Sequence, residues 1–273
     1  MTLRDVLAVA SNTDPGIVRS FNEDSVATDS EIGVMVLADG MGGYKAGDVA
    51  SSLATTIIMD ELRQLLRKVK PGRSDSANEA AKAIREAVKH ANQTIFRSAQ
   101  SSPNFQGMGT TLVVLLFYDN RVLMAHIGDS RLYRLRHDRL ELMTTDHSLL
   151  QEQVTLGLIT SEDAKVSHNR NLVTRALGVE QHVALDLRVE QAVPGDIYVL
   201  CSDGLNDMVD ESDMELVLNS LRSNLALAAK QLVMIANDNG GHDNISVILS
   251  QVLKPFPAES HWFDSMRDWL RLF

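Results

Sequence analysis

Three aspartates stand at the ends of apolar runs that have the length of buried strands. They are Asp39 after residues 32–38, Asp203 after residues 197–201, and Asp243 before residues 245–249. A bare carboxylate at the edge of a core is costly unless it has a partner or a metal ion. Carboxylate oxygens are ligands that Mg²⁺ and Mn²⁺ prefer. One Asp-Gly pair alone would indicate an ordinary turn, but the threefold pattern predicts a divalent metal site.

Composition limits the classes of protein to which the chain can belong. Its 273 residues carry a net charge of −10, with 44% hydrophobic and 23% charged residues. These values are typical of a globular protein of one large or two small domains, and the acidic balance argues against nucleic-acid binding. We expect a cytoplasmic protein, because no apolar run could span a bilayer, the N-terminus lacks a signal-peptide pattern, and the single Cys201 fits a reducing compartment.

Hydrophobic periodicity divides the chain into paired strands and paired helices. Helical spacing predicts an amphipathic helix over residues 46–69 that Pro71-Gly72 ends, and a capping box at Ser76–Glu79 opens a second helix. Strands are predicted over 6–10, 32–38, 110–118, 121–127, 130–136, 139–143, 183–189, 197–201 and 245–249, and further helices near 149–156, from a cap at Ser212, and over 225–236. Hairpins and helix pairs favour an α+β fold of antiparallel sheets with helices outside them.

Eight short motifs follow one another between about Ala8 and Val252. They read RxxNED from Arg19, ADGMGG from Ala38, GMGTT from Gly107, IGDSR from Ile127, TDHS from Thr145, TRALG from Thr174, CSDGL from Cys201 and GHDNIS from Gly241. Each is weak alone, but in this order they resemble the bacterial metal-dependent protein serine/threonine phosphatases of type 2C, the PPM family. The resemblance implies a four-layer α-β-β-α sandwich, in which two antiparallel sheets pack face to face and helix pairs cover both outer faces.

The resemblance also implies a set of metal ligands. Asp39 would bridge two divalent ions, Mn²⁺ or Mg²⁺. The Gly40 carbonyl and Glu23, the latter mostly through water, would hold one ion, and Asp203 and Asp243 would hold the other. A hydroxide that bridges the two ions would attack phosphorus in line, so no protein nucleophile is required.

Other residues are predicted to support this centre. Arg19 is the expected phosphate clamp, since a guanidinium binds two phosphate oxygens at once, although a surface pair with Glu23 is the plainer alternative. Asp24 and Asn244 would lie behind the ligands, with Asp24 orienting bound water or simply capping a loop. Four glycines are predicted to supply positive φ or close backbone approach to the metals: Gly42, Gly43, Gly240 and Gly241.

Bacterial members of the resembled family imply a third, weaker metal site near a mobile flap. Asp129 and Asp207 would form it together with Asp203, while the simpler alternatives are a turn aspartate and a helix-start aspartate. Met41 stands where relatives from higher organisms carry histidine, which leaves the general acid unassigned. The flap corresponds to about residues 150–172, and its sequence does not indicate the substrate.

The C-terminal residues are predicted to be separate from the catalytic domain. That domain would span residues 1–253, and residues 254–273 would form a Pro-containing linker and an amphipathic helix. Trp262, Met266, Trp269 and Phe273 would give this helix an aromatic face. Packing on the parent domain is the simplest interpretation, and docking to a partner or a membrane surface is the alternative.

The predicted function is hydrolysis of phosphoserine and phosphothreonine monoesters in proteins by a monomeric enzyme. By the resemblance, its partners would be phosphorylated proteins and an opposing bacterial Ser/Thr kinase. Two alternatives stay open: a partner-switching phosphatase of the same fold dedicated to one phosphoprotein, and a non-catalytic phosphoprotein-binding module. The intact set of Asp39, Asp203 and Asp243 argues against the binding module, which need not keep all three.

Overall fold

The computed structural model describes residues 3–43, 46–69, 76–160, 163 and 172–257. Within these residues, every helix is too short or too polar to cross a membrane. The predicted helix after the linker and the Pro71-Gly72 helix stop lie outside the described residues, and so does most of the second half of the predicted flap.

Two antiparallel sheets form the centre of the fold. The first contains, in spatial order, β1 (Leu7–Asp14), β11 (Ile245–Val252), β10 (Ile197–Cys201), β7 (Arg131–Arg136) and β8 (Arg139–Leu142). The second contains β2 (Asp24–Asp29), β3 (Val34–Met41), β5 (Leu112–Tyr118), β6 (Arg121–Ile127) and β9 (Asp186–Gln191), and β4 (Gly109–Thr110) pairs with the end of β3. The predicted antiparallel α+β architecture is confirmed.

Pairs of helices cover the outer faces of both sheets. The second sheet is covered by α1 (Ala46–Leu66) and α2 (Ser76–Ser101), and the first by α5 (Glu211–Ser220) and α6 (Leu225–Asp238). Two short helices, α3 (Leu149–Thr155) and α4 (Asp203–Asn206), follow strands, and single 3₁₀ turns lie at Leu3–Asp5 and Pro103–Phe105. The described residues therefore form the predicted four-layer sandwich.

Strand β3 shows why the central strands are continuous apolar runs. Val34 and Val36 pack under α1 and α2, whereas Met35 and Leu37 pack between the two sheets. A strand that is buried on both faces needs apolar side chains at successive positions. The strand also extends further than predicted, because β4 pairs with its last residues, so that Asp39 lies inside β3 and not after it.

The two predicted hairpins are confirmed, whereas the edge strands differ from the prediction. Asp119-Asn120 joins β5 to β6 and His137-Asp138 joins β7 to β8, and all four residues have positive φ, as two-residue hairpin turns require. However, β1 continues to Asp14, β2 was not predicted, and β9 begins at Asp186. These three strands lie at sheet edges, where polar residues replace the apolar signal. Helix α5 begins one residue after its N-cap Asp210, not at Ser212.

Residues 254–257, the start of the predicted linker, pack on the domain. The ring of Phe256 is buried and lies 5.9 Å from that of Phe117 in an edge-to-face arrangement. Its backbone N–H donates to Asn120 Oδ1 at 2.6 Å, in the β5–β6 turn. The described chain thus remains attached to the inter-sheet core beyond Leu253.

Candidate metal centre

The structure brings the three predicted aspartates together at one end of the two sheets. Asp39 lies near the end of β3, Asp203 begins α4 directly after β10, and Asp243 lies two residues before β11. Burial, followed by the nearby carboxylates of Asp24 and Asp203, raises the pKa of Asp39 well above its usual value. Burial and then Asp129 and Asp243 do the same to the pKa of Asp203. These carboxylates therefore repel one another across a shared site.

Asp24 and Asp39 form a pair of neighbouring carboxyl groups. They are directly opposite each other in the β2–β3 register. Ser202 Oγ donates to Asp24 Oδ2 at 2.8 Å. Burial raises the pKa of Asp24 to about 6, despite the hydrogen bonds that lower it. Asp24 is thus a buried strand residue behind Asp39 and does not cap a loop.

The two residues predicted for a third ion lie beside Asp203. Asp129 is buried in the connection from β6 to β7, where burial and then Asp146 raise its pKa to about 6. The Asp207 backbone N–H donates to the Asp203 carbonyl at 2.8 Å, so the chain makes the predicted helical turn between them. Asp207 is exposed, and its charge raises the pKa values of both Asp129 and Asp203.

Arg19 pairs with Asp243 and not with Glu23. Its Nη2 donates to Asp243 Oδ2 at 2.7 Å, while the side chain remains 52% exposed. That hydrogen bond is the main cause of the raised pKa of Arg19, which outweighs the opposing effect of burial. The surface pair with Glu23 is therefore not formed, and the guanidinium reaches the edge of the carboxylate site.

Asn244 fastens the loop that carries Arg19 and Glu23. Its Oδ1 accepts from the Glu23 backbone N–H at 2.8 Å, and its Nδ2 donates to the carbonyls of Pro15 at 3.0 Å and Phe21 at 2.8 Å. One buried side chain therefore joins three points of the β1–β2 loop to the start of β11.

Thr110 and Thr111, for which no role was predicted, hold the backbone of Asp39. The Asp39 carbonyl accepts from Thr111 N at 2.9 Å and from Thr110 Oγ1 at 2.8 Å. Thr111 Oγ1 accepts from Asp39 N at 3.0 Å and lies 2.7 Å from Ser130 Oγ. The GMGTT motif was the available signal, but a motif alone does not show which residue it contacts.

The donor set fits a divalent cation. Within the described ranges, Asp203 Oδ1 and Asp24 Oδ1 are buried without a hydrogen-bond partner, an arrangement that normally costs free energy. A divalent ion would relieve both this penalty and the repulsion between the carboxylates. As they stand, no three His, Cys, Asp or Glu side chains of the described residues form a group ready to hold an ion. Ligation is therefore a proposal that rests on charge and donor type.

A second network connects the IGDSR and TDHS motifs beside this site. Arg131 Nε donates to Asp146 Oδ1 at 3.0 Å, and Nη2 donates to Oδ2 at 2.8 Å. His147 N donates to the Gly128 carbonyl, and Gly128 N donates to His147 Nδ1. The ring of buried His126 lies 4.8 Å from that of His147, and burial lowers the pKa of His126 to about 4. Burial also lowers the pKa of His147, whose Nε2 lies 3.2 Å from Asp186 Oδ2, so both histidine rings belong to this second network.

We predict that Asp146→Asn lowers the free energy of unfolding by about 2 kcal/mol, because it leaves the mostly buried guanidinium of Arg131 without its ionic partner. Asp138→Asn is the matched control, since the Arg222–Asp138 pair is exposed and such pairs contribute about 0.5 kcal/mol. Urea unfolding followed by circular dichroism measures both variants. Equal losses in the two variants would contradict the prediction.

Comparisons with known proteins identify relatives across most of the chain. The family model described as protein phosphatase 2C matches residues 18–235, a range that includes every predicted site residue except Asp243 and Asn244. The serine/threonine phosphatase stp of Listeria welshimeri is 38% identical over 240 residues, which are 87% of this chain and 92% of that protein.

Solved structures agree with this match. The crystal structure of the Mycobacterium tuberculosis serine/threonine phosphatase PstP/Ppp superposes with a TM-score of 0.80 at 37% identity, and covers 91% of this chain and 100% of the solved chain. A structure of the PstP catalytic domain, described as a complex with 2 manganese ions, has a TM-score of 0.78 at 37% identity and covers 91% of this chain and 99% of its own.

Proposed function

The chain is a serine/threonine protein phosphatase of the bacterial protein phosphatase 2C family, and from that premise we propose a two-metal centre for its reaction. The ligands would be the carboxylates of Asp39, Asp203, Asp243 and Glu23 and the Gly40 carbonyl. The observation that carries the proposal is the convergence of mutually repelling carboxylates around a buried oxygen of Asp203 that has no partner in the described ranges.

Two divalent cations held by these ligands would lower the pKa of bound water and neutralise charge on a phosphoryl group. Mn²⁺ is the first candidate, because the similar PstP catalytic domain is described with 2 manganese ions. Asp129 and Asp207, which lie beside Asp203, would contribute to a weaker third site.

The protein's own residues would bind and orient the substrate. Arg19 is half exposed at the edge of the site and carries further N–H groups besides the one bonded to Asp243, so it can grip phosphate oxygens. Asn244 holds the Arg19 loop against β11, and Thr110 and Thr111 fix the backbone of Asp39. Such fixed positions reduce the reorganisation needed during reaction.

The substrates in this proposal are proteins that a bacterial Ser/Thr kinase has phosphorylated. We place the reaction in a catalytic domain of residues 1–253 whose flap spans about residues 150–172. A phosphatase dedicated to one phosphoprotein, as in partner switching, is the alternative of the same fold, and it would show little turnover of generic phosphopeptides.

We predict that the purified full chain releases phosphate from a phosphothreonine peptide with Mn²⁺, and that chelation lowers the rate at least about 100-fold because the carboxylate site then lacks its cations. Adding Mn²⁺ back should restore the rate, as measured by a colorimetric phosphate assay. Equal rates with chelator would overturn the metal proposal. Turnover of one phosphoprotein but of no peptide would favour the dedicated phosphatase.

A further inference from the structure

Three exposed apolar residues flank Arg19 in the sequence. Ile17, Val18 and Phe21 lie in the β1–β2 loop and are 68%, 62% and 56% exposed. We call these three residues the apolar patch. Single exposed apolar residues are common on soluble proteins, but a cluster at a functional site is typical of an interaction surface. The position of the apolar patch beside the phosphate-binding arginine suggests contact with the substrate.

The exposure does not come from a loose loop. The backbone N–H groups of Ile17 and Val18 both donate to the Gly241 carbonyl, at 2.8 and 3.2 Å. The Phe21 carbonyl accepts from Asn244 Nδ2 at 2.8 Å. At Gly16, a Cβ atom would lie 2.2 Å from the Asp243 carbonyl oxygen, so the loop backbone lies directly against the metal-site segment. The fold thus holds these partly exposed side chains on a fixed backbone.

A fixed apolar surface next to a reactive site lowers the entropic cost of binding a flexible partner. The partner here is the polypeptide of a phosphoprotein, because the enzyme acts on phosphorylated proteins. Arg19 lies between Val18 and Phe21 in this anchored loop, so the residues next to a phosphate bound by Arg19 would lie within reach of the apolar patch.

We propose that Ile17, Val18 and Phe21 form a substrate-docking surface that favours phosphoproteins with an apolar side chain next to the phosphorylated residue. This inference rests on the proposed function, because it needs Arg19 to bind the substrate phosphate. It adds a rule of substrate choice that the metal centre alone does not provide, since the metals and Arg19 contact only the phosphoryl group, which every substrate shares.

Two phosphothreonine peptides that differ only in their flanking residues, leucine in one and serine in the other, test the surface. With Mn²⁺, we expect kcat/KM to be about tenfold higher for the leucine peptide, a discrimination of the size that a few buried methylene groups provide. In the variants Ile17→Ser and Phe21→Ser, alone and combined, this ratio should fall towards one. The matched control is Leu216→Ser, which replaces a 65% exposed leucine on α5 and should keep the wild-type ratio.

Turnover of p-nitrophenyl phosphate tests the proposed metal centre separately from the docking surface, because this substrate has no flanking residues. Wild-type enzyme that hydrolyses p-nitrophenyl phosphate and both peptides without discrimination would overturn this inference alone. A ratio that stays near ten in the combined variant would also overturn it. Absence of turnover of all three substrates with Mn²⁺ would overturn the proposed function and, with it, this inference.

Discussion

Asp39→Asn is expected to lower kcat by at least about 10³-fold and to stabilise the metal-free protein at the same time. The loss of activity follows because the carboxylate that would bridge two cations becomes a neutral amide, and metal ions supply several kcal/mol of transition-state stabilisation. The gain in stability follows because Asp39 faces Asp24 and Asp203, and its removal relieves part of their repulsion. Replacing a functional residue that destabilises the fold commonly raises the free energy of unfolding by about 1–2 kcal/mol.

The stabilisation should depend on pH in a defined direction. In the metal-free protein the pKa of Asp39 lies well above its ordinary value of 3.8, so the folded state holds a proton that the unfolded chain releases. Metal-free wild-type protein therefore loses stability as pH rises above about 4 towards the folded-state pKa. Asparagine does not titrate, so the advantage of the variant should be small at pH 4 and should increase towards pH 8.

Two measurements check this pair of effects. Phosphate release with Mn²⁺ gives kcat, and urea unfolding in chelator at pH 4 and pH 8 gives the free energy of unfolding. Asp213→Asn, which removes an exposed charge from the first turn of α5, is the control and should change neither quantity appreciably. A destabilised Asp39→Asn at pH 8, or retained turnover, would contradict the role assigned to Asp39.

Local sequence signals predicted the parts of the fold that local interactions determine. The hairpin over residues 112–127 was predictable because Asp119-Asn120 tolerates the positive φ that its turn requires. By contrast, β2 (Asp24–Asp29) has the sequence Asp-Ser-Val-Ala-Thr-Asp, and its hydrogen bonds with β3 determine its structure more than its own composition does. Strand propensity is weak evidence at a sheet edge.

The candidate site was predictable residue by residue but not contact by contact. The strand-end aspartates and the motifs indicated Asp39 and Asp243, yet the pairing of Arg19 with Asp243 joins positions 224 residues apart. The same holds for Ser202, which donates to Asp24 from 178 residues away. Contacts of this kind depend on the packing of the two sheets, which no local pattern records.

The glycines of the motifs also show that local sequence does not reveal long-range packing. Gly42, Gly240 and Gly241 have positive φ, as the sequence analysis expected of the paired glycines. Gly43 was grouped with them, but it lacks positive φ, and a Cβ atom there would meet no atom within 4 Å. Gly43 therefore does not supply the positive φ, because a run of glycines in a motif does not show which position the packing restricts.

Gly40→Ala should destabilise the protein by about 3 kcal/mol or more, a cost at the upper end for overpacking. A Cβ atom at this position would lie 2.1 Å from the Gly47 carbonyl oxygen and 2.5 Å from the Glu23 carbonyl oxygen. Both are backbone atoms, so the clash can be relieved only by moving α1 and the β2 end away from β3. The Gly40 N–H bond to the Glu23 carbonyl, 3.1 Å in the structure, would be lost as well.

Gly43→Ala is the matched control in the same motif. It should leave the free energy of unfolding unchanged or raise it by up to about 1 kcal/mol, because alanine there lowers only the conformational entropy of the unfolded chain. Urea unfolding of both variants measures the difference, and phosphate release should fall only in Gly40→Ala, whose shift also displaces Glu23. Equal stability of the two variants would show that α1 can move away from β3 at little cost in free energy. The close approach of Gly40 to Gly47 would then not be what fixes the helix pair against the candidate metal centre.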